Sequence, residues 1–128
     1  MKKTILLIDD EKDVLTIMGG RIRKWGYDLI EATGGKEAIE AIKKGGPDIV
    51  VLDYIMPEMD GVSTLKEIRK INNKIPVIMF TAFSDKKSIK GTEKLGVTAY
   101  IPKMSMFSPG ESSLEIAVKM AEKNLGNG

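Results

Sequence analysis

The chain has 128 residues, 42% hydrophobic and 30% charged, which is typical of one globular domain and too short for two. It contains no Cys and no His, which excludes disulfides and argues against a zinc site, so any metal should be an oxygen-preferring cation such as Mg²⁺. A net charge of +2 gives no indication of nucleic-acid binding, and no apolar run approaches the roughly 20 residues of a membrane span. The apolar run at residues 4–8 stops at three acids without a cleavage site, so we expect a cytoplasmic protein.

Short β-rich apolar runs alternate with longer amphipathic stretches along the chain. The apolar runs predict five strands, over residues 5–8, 27–31, 49–52, 77–80 and 100–101. Apolar residues at helical spacing predict five helices, marked by residues 14–25, 38–42, 65–68, 84–96 and 114–125. Thr33 and Ser84 are the expected caps of the second and fourth helices. Strict alternation of this kind is typical of an α/β fold, in which a parallel sheet carries helices on both faces.

Polar residues follow the predicted strands where a parallel sheet binds its ligands, at the carboxyl ends. Asp9 and Asp10 follow the first strand, Asp53 the third and Thr81 the fourth, and Lys103 lies near the end of the fifth. Three carboxylates brought together repel one another unless a cation holds them, and Mg²⁺ commonly takes one or two carboxylates plus a phosphate. An Asp beside Mg²⁺ can act as a phosphoryl nucleophile, and an ammonium and a hydroxyl can stabilise the transferred oxygens.

Each of these residues also has a plainer interpretation. Asp9 and Asp10 would suit the N-terminal cap of the first helix, and Thr81 would suit an ordinary strand position. Lys103 would suit a solvated surface charge, and Tyr100 a strand residue with a hydrated hydroxyl. The basic face of the fourth helix would suit either solvent or a docking partner; it carries Lys86, Lys87, Lys90 and Lys94.

Four segments resemble response-regulator receiver domains in their order and spacing. They are Ile-Asp-Asp-Glu at 8–11, the run from Val to Gly at 51–61, Thr-Ala at 81–82 and Ala-Tyr-Ile-Pro-Lys at 99–103. The resemblance implies one flavodoxin-like, doubly wound (βα)5 receiver domain over 1–128, with its core at about 2–124. It also implies a five-stranded parallel sheet of order 2-1-3-4-5. We expect no output domain within these residues.

The resemblance further implies a phosphorylation site at Asp53 and a Mg²⁺ site, in which Mn²⁺ can substitute. Asp10, Asp53 and the backbone carbonyl of Ile55 would bind the metal directly, and Asp9 would bind it through water. Pro57 and Gly61 would shape the loop that follows the phosphorylation site.

Other implied roles concern the phosphoryl group and the conformational response to it. Lys103, the Thr81 hydroxyl and the backbone N–H of Ala82 would contact the phosphoryl oxygens. Tyr100 would be an aromatic switch that turns inward behind Thr81. Ile55 and Phe83 stand two residues after Asp53 and Thr81, and as bulky apolar groups they should hinder attack by water, so we predict slow autodephosphorylation.

The lysine loop departs from the family pattern, in which Pro directly follows the Lys. Pro102 precedes Lys103 and Met104 follows it, so the 103–104 bond should be trans, since a non-proline cis bond costs about 3–4 kcal/mol. Pro102 lacks an N–H, which suits an edge strand. Residues 104–110 look longer and more apolar than the usual connection and would serve as a partner patch or a core plug.

The resemblance implies a signalling switch more than an enzyme with turnover. The phosphoryl donor would be a sensor histidine kinase or a histidine phosphotransfer protein. The fourth helix, fifth strand and fifth helix would bind a downstream protein or an output domain, or form a phosphorylation-linked homodimer; no direct contact with nucleic acid or membrane is expected.

Three rivals are weighed against this interpretation. A phosphohydrolase with an Asp nucleophile would need an acid at position 55, which is Ile. A nucleotide or flavin module would need a Gly-rich loop where residues 9–11 are acidic. A degenerate receiver used only for protein contacts is disfavoured by the intact set of acids.

Overall fold

The computed structural model describes residues 2–53, 60–81, 92–107 and 112–126. These residues form one parallel sheet, whose strands lie in the order β2-β1-β3-β4-β5. The strands are β1 (Thr4–Ile8), β2 (Asp28–Ala32), β3 (Ile49–Leu52), β4 (Val77–Thr81) and β5 (Ala99–Pro102). The predicted α/β class and sheet order are confirmed.

The helices of the described residues are α1 (Lys12–Lys24), α2 (Gly35–Lys44), α3 (Gly61–Ile71) and α4 (Ser113–Gly126), with a 3₁₀ helix at Lys103–Phe107. Most of the helix predicted over 84–96, including Ser84 and its neighbouring lysines up to Lys90, lies outside the described residues. Its last part ends in a turn, in which the N–H of Gly96 donates to the carbonyl of Glu93 at 3.1 Å. None of the described helices is both long and apolar enough to cross a membrane.

Two apolar clusters sandwich the sheet, because successive side chains of a strand point to opposite faces. Ile5 and Leu7 of β1 pack with α1 and α4, whereas Leu6 and Ile8 pack with α2 and α3. All four are buried, as predicted for a strand covered on both faces. Each such side chain contributes about 1.5–3 kcal/mol of hydrophobic stabilisation, so the central strands are firmly fixed and so are the residues that follow them.

Two details of the predicted elements are wrong. The second strand begins at Asp28 and not at Tyr27, whose buried ring packs with the α1 and α4 side of the core. The cap of α2 is Gly34 and not Thr33, and it makes no side-chain capping hydrogen bond. The Thr33 hydroxyl instead donates to the Glu37 carboxylate, four residues along the chain.

The end of β5 agrees with the expectations for the lysine loop. β5 is an edge strand, as the missing N–H of Pro102 suggested. No peptide bond of the described residues is cis, so Lys103 and Met104 are joined by a trans bond. Lys103 leaves the sheet directly into the 3₁₀ helix, where the Ser105 hydroxyl donates to the carbonyl of Pro102 at 2.7 Å.

Candidate functional site

Charged residues meet at the carboxyl end of the sheet, at the ends of β1, β3 and β5. Asp9 directly follows β1, and Asp53 directly follows β3. Their N–H groups donate to Ala32 and Ile8 at 3.0 Å each, so both residues continue the hydrogen bonding of the sheet. The two carboxylates are therefore fixed by the strands before any ligand binds.

Lys103 is the cation of this cluster and contacts three carboxylates. Its Nζ lies 2.8 Å from Asp9 Oδ2, 3.1 Å from Glu11 Oε1 and 3.2 Å from Asp53 Oδ2. The side chains of Lys103, Asp9 and Asp53 are 9%, 1% and 4% exposed, whereas that of Glu11 is 61% exposed. The structure thus brings the predicted lysine to the predicted phosphoacceptor, and it removes the interpretation of Lys103 as a solvated charge.

Burial and ion pairing act against each other on these groups. Burial raises the pKa of the Asp9 carboxyl above its ordinary value, although the hydrogen bonds from Lys103 and from the Glu11 N–H oppose this. Burial alone would lower the pKa of the Lys103 ammonium, but Asp9, Asp53 and Glu11 together raise it above its ordinary value. Lys103 is therefore a permanent positive charge at neutral pH.

The acids form a cluster that could hold a hard cation. One carboxylate oxygen from each of Asp9, Asp10, Glu11 and Asp53 lies within 4.8 Å of the others. All of the candidate ligand atoms are oxygen, which Mg²⁺ prefers. The four negative charges exceed the single positive charge of Lys103, so the cluster has an excess of negative charge that a cation can balance. Asp10 is exposed at the rim, while Asp9 and Asp53 form the buried floor.

The start of α1 differs from the interpretation of Asp9 and Asp10 as its cap. The N-cap residue is Glu11, whose side chain makes no capping hydrogen bond. Asp9 Oδ1 accepts from the N–H of Glu11 at 2.9 Å, which holds the turn between β1 and α1. Glu11 was missed from the sequence, because its contact with Lys103 spans 92 positions.

Tyr100 is half-buried in β5 and packs against the core between the sheet and helices α2 and α3. Its hydroxyl lies 2.5 Å from the hydroxyl of Thr92, which is only 1% exposed. The predicted movement behind Thr81 stays a prediction, since the structure describes the backbone of Thr81 in β4 but not its side chain. Thr92 was also missed, because a single Thr carries no sequence signal for a partner eight residues away.

The structure describes only some of the remaining predicted site residues. Gly61 is the first residue of α3 and is buried behind Asp60, whose side chain caps the helix by accepting from the Ser63 N–H at 2.7 Å. Four other predicted residues lie outside the described residues: Ile55, Pro57, Ala82 and Phe83. Their predicted roles stay predictions.

Known proteins are similar to this chain in sequence and in architecture. The family model described as the response regulator receiver domain matches residues 5–111. The probable transcriptional regulator ycf27 of Porphyridium aerugineum is 43% identical over 116 residues, which are 90% of this chain and 47% of that protein. The transcriptional regulatory protein ZraR of Escherichia coli K12 is 37% identical over 114 residues, 89% of this chain and 26% of that protein. The chain therefore spans between about a quarter and a half of the length of these curated relatives.

A solved structure supports the same assignment. The response regulator TrrA of Thermotoga maritima, in complex with Mg²⁺-BeF, is 29% identical with a TM-score of 0.81, and the match covers 93% of this chain and 98% of that one. The sheet order, the buried lysine among acids and the family match all agree. The chain therefore belongs to the response regulator receiver domain family of two-component signalling.

Proposed function

We propose that this receiver domain accepts a phosphoryl group on Asp53 in a Mg²⁺-dependent reaction. The observation that carries the proposal is the buried Asp53 carboxylate, 3.2 Å from a buried ammonium and inside a cluster of four acids. A carboxylate in this setting is fixed at the carboxyl end of the sheet, next to negative charge that a cation must balance. Receiver domains as a family bind Mg²⁺ at an acidic pocket, and the oxygen donors present here fit that ion.

The transfer would proceed from the phosphohistidine of a sensor histidine kinase or a histidine phosphotransfer protein. An oxygen of Asp53 attacks phosphorus, a new P–O bond forms, and the P–N bond breaks with its electron pair left on the imidazole nitrogen. Lys103, permanently protonated at neutral pH, donates to the oxygens of the group in transit. Asp10, Asp53, the Ile55 carbonyl and, through water, Asp9 would hold the metal, which supplies positive charge for those oxygens.

The response to phosphorylation would pass through Thr81, the Ala82 N–H and Tyr100. Tyr100 supports this proposal. Its half-buried ring lies in β5, and its hydroxyl bonds to Thr92 at the end of the preceding segment. A conformational change in either β5 or that segment can therefore reach the other. The segment 84–96, β5 and α4 would present the altered surface to a downstream protein, an output domain or a second copy. We propose a cytoplasmic signalling switch without enzymatic turnover, and slow loss of the phosphoryl group because of Ile55 and Phe83.

The test is incubation with acetyl phosphate in the presence and absence of Mg²⁺. Mass spectrometry of the intact protein then measures the number of phosphoryl groups gained. Wild type should gain one phosphoryl group only with Mg²⁺, and Asp53→Asn should gain none. Asp60→Asn is the matched control, because Asp60 caps α3, Asn also caps a helix well, and Asp60 is not among the four clustered acids.

Two readouts sharpen this experiment. Beryllofluoride should shift the NMR signals of the Tyr100 ring in wild type and leave them unchanged in Asp53→Asn. After removal of the donor, the phosphoryl group should persist for minutes or longer. Modification of Asp53→Asn to the same extent as wild type, or of wild type without any divalent ion, would exclude Asp53 as the metal-dependent acceptor.

A further inference from the structure

The Glu11 side chain is turned toward Lys103 and away from its own helix. Glu11 is the N-cap residue of α1, but its side chain makes no capping hydrogen bond. Its carboxylate instead accepts from Lys103 Nζ at 3.1 Å. The Glu11 backbone is fixed on both sides, since its N–H donates to Asp9 Oδ1 at 2.9 Å and its carbonyl accepts from the Leu15 N–H at 3.2 Å. The carboxylate therefore reaches the ammonium from a rigid support.

The three contacts of Lys103 match the three N–H donors of an ammonium. Two of the acceptors, Asp9 and Asp53, belong to the set proposed to hold the metal. Binding of the metal by these carboxylates would compete with their bonds to Lys103. Glu11 is the acceptor that is not among those proposed ligands, although its carboxylate lies in the same acidic cluster. It can therefore keep its bond to Lys103 while the other two carboxylates serve the cation.

The backbone around Lys103 gives the side chain less restraint than a proline would. The residue after Lys103 is Met104, joined by a trans bond, and its side chain is 77% exposed. Because Met104 is not anchored by packing, it adds little restraint to Lys103, and the contacts of Nζ become more important for its position. The largely exposed Glu11 side chain contacts the lysine ammonium from the solvent side of the site.

We infer that Glu11 is a positioning residue for phosphoryl acceptance, which holds the Lys103 ammonium beside Asp53 once the metal engages Asp9 and Asp53. This inference rests on the proposed function of Asp53. Glu11 acts through Lys103, which its carboxylate contacts. Its loss should therefore slow transfer even when Mg²⁺ is saturating.

The test compares Glu11→Gln with Asp13→Asn in the full chain. Asp13→Asn removes the same charge from the first turn of the same helix, but Asp13 is not among the carboxylates that contact Lys103. Three quantities are measured: Mg²⁺ affinity, the acetyl phosphate rate at saturating Mg²⁺, and the ¹⁵N NMR signal of the Lys103 ammonium at saturating Mg²⁺. Lys103→Arg assigns that signal.

Glu11→Gln should lower the saturated rate by about three- to fivefold, with donor half-saturation within about twofold of wild type. Saturating Mg²⁺ separates this effect from any weaker metal binding that the lost charge causes. The ammonium signal should broaden through faster exchange, because one charge-assisted bond is lost. Asp13→Asn should resemble wild type in all three measurements.

Four results would overturn the inference. An unchanged ammonium signal would show that Glu11 does not restrain Lys103, and an unchanged saturated rate with weakened Mg²⁺ binding would make Glu11 a metal ligand. An equal effect of Asp13→Asn would show that only net charge matters. Failure of wild type to be modified at Asp53 would contradict the proposed function itself. The reaction that Glu11 is inferred to assist would then not exist, whatever the NMR signal of Lys103 shows.

Discussion

The two ends of the parallel sheet hold their polar side chains in different ways. At the carboxyl end, Lys103 pairs with Asp9 and Asp53, so side-chain charges balance one another. At the amino end, two polar side chains bond to the backbone: Asp48 Oδ2 accepts from the Thr4 N–H at 2.8 Å, and Arg69 donates to carbonyls. The amino end is thus complete without a ligand, whereas the carboxyl end keeps an excess of negative charge that a cation can balance.

Arg69 shows most clearly how the amino end is satisfied. Its Nε donates to the carbonyl of Leu95 at 2.6 Å, and its terminal nitrogens donate to Ile75 at 2.6 Å and Gly96 at 3.2 Å. Burial lowers the pKa of this guanidinium. The side chain therefore ties α3 to the segments that lead into β4 and β5, and its partners are fixed by the chain itself.

The largest effect is expected from Lys103→Met, which tests whether the carboxyl end is balanced by charge. In EDTA this change should lower the free energy of unfolding by about 3 kcal/mol, because it leaves the buried Asp9 and Asp53 without their counter-charge. Millimolar Mg²⁺ should restore a large part of the loss, and the gain from Mg²⁺ should be greater than in wild type. Urea unfolding in EDTA and in Mg²⁺ measures both quantities.

Asp10→Asn is a useful companion variant, because it removes an exposed carboxylate from the same cluster. It should leave stability in EDTA nearly unchanged or slightly improved, and it should reduce the gain from Mg²⁺. If Lys103→Met were destabilised equally with and without Mg²⁺, the loss would come from packing of the lysine stem, and charge balance would not distinguish the two ends.

A smaller effect is expected from Arg69→Met at the amino end. The change removes the donor of several backbone carbonyls, and we expect a loss of about 2 kcal/mol, because water reaches part of this site and replaces some of the bonds. Mg²⁺ should not restore it. Lys70→Met is the matched control, since Lys70 is exposed and its pair with Glu67 is worth at most about 0.5 kcal/mol.

The contrast between the two ends fails if Arg69→Met is rescued by Mg²⁺ to the same degree as Lys103→Met. A loss no greater than that of Lys70→Met would show that water satisfies the freed carbonyls fully. All of these measurements use the same urea titrations, so wild type and the four variants can be compared directly.

The sequence was informative about features that depend on local pattern. Residues 49–52 form an unbroken β-branched and apolar run, and such a run is stable only when buried on both faces. Asp53 directly follows that run, so its place at the carboxyl edge followed from the strand alone. The same reasoning placed Asp9, and the missing N–H of Pro102 predicted an edge strand.

The sequence was uninformative where a side chain chooses among distant partners. Glu11 bonds to Lys103, and Arg69 bonds to carbonyls more than 25 positions away, so neither contact has a periodic or local signature. Thr33 shows the same effect at short range, because its hydroxyl donates to the Glu37 carboxylate and the cap of α2 is the next residue, Gly34. Such choices depend on which groups the completed fold brings together.

The smallest effect is expected from Tyr27→Phe, which tests the amino end by pH in place of Mg²⁺. The Tyr27 hydroxyl donates to Glu122 of α4 at 3.3 Å, and burial together with the Glu122 charge raises the pKa of Tyr27 from 10 to about 12. The unfolded chain releases this proton near pH 10 but the folded one does not, so Tyr27 stabilises the fold below pH 10 and loses that contribution between pH 10 and 12.

Wild type should therefore lose about 1–2 kcal/mol more than Tyr27→Phe as the pH rises through this range. At pH 8 the variant should be less stable by about 0.5–1 kcal/mol, since one hydrogen bond is missing, and near pH 12 the order should reverse. Urea unfolding at intervals of pH measures the difference, and the general effect of lysine deprotonation cancels between the two proteins. Parallel curves would mean that Tyr27 ionises as easily in the folded chain as in the unfolded one, and that the contact with Glu122 does not hold α4 to the amino end.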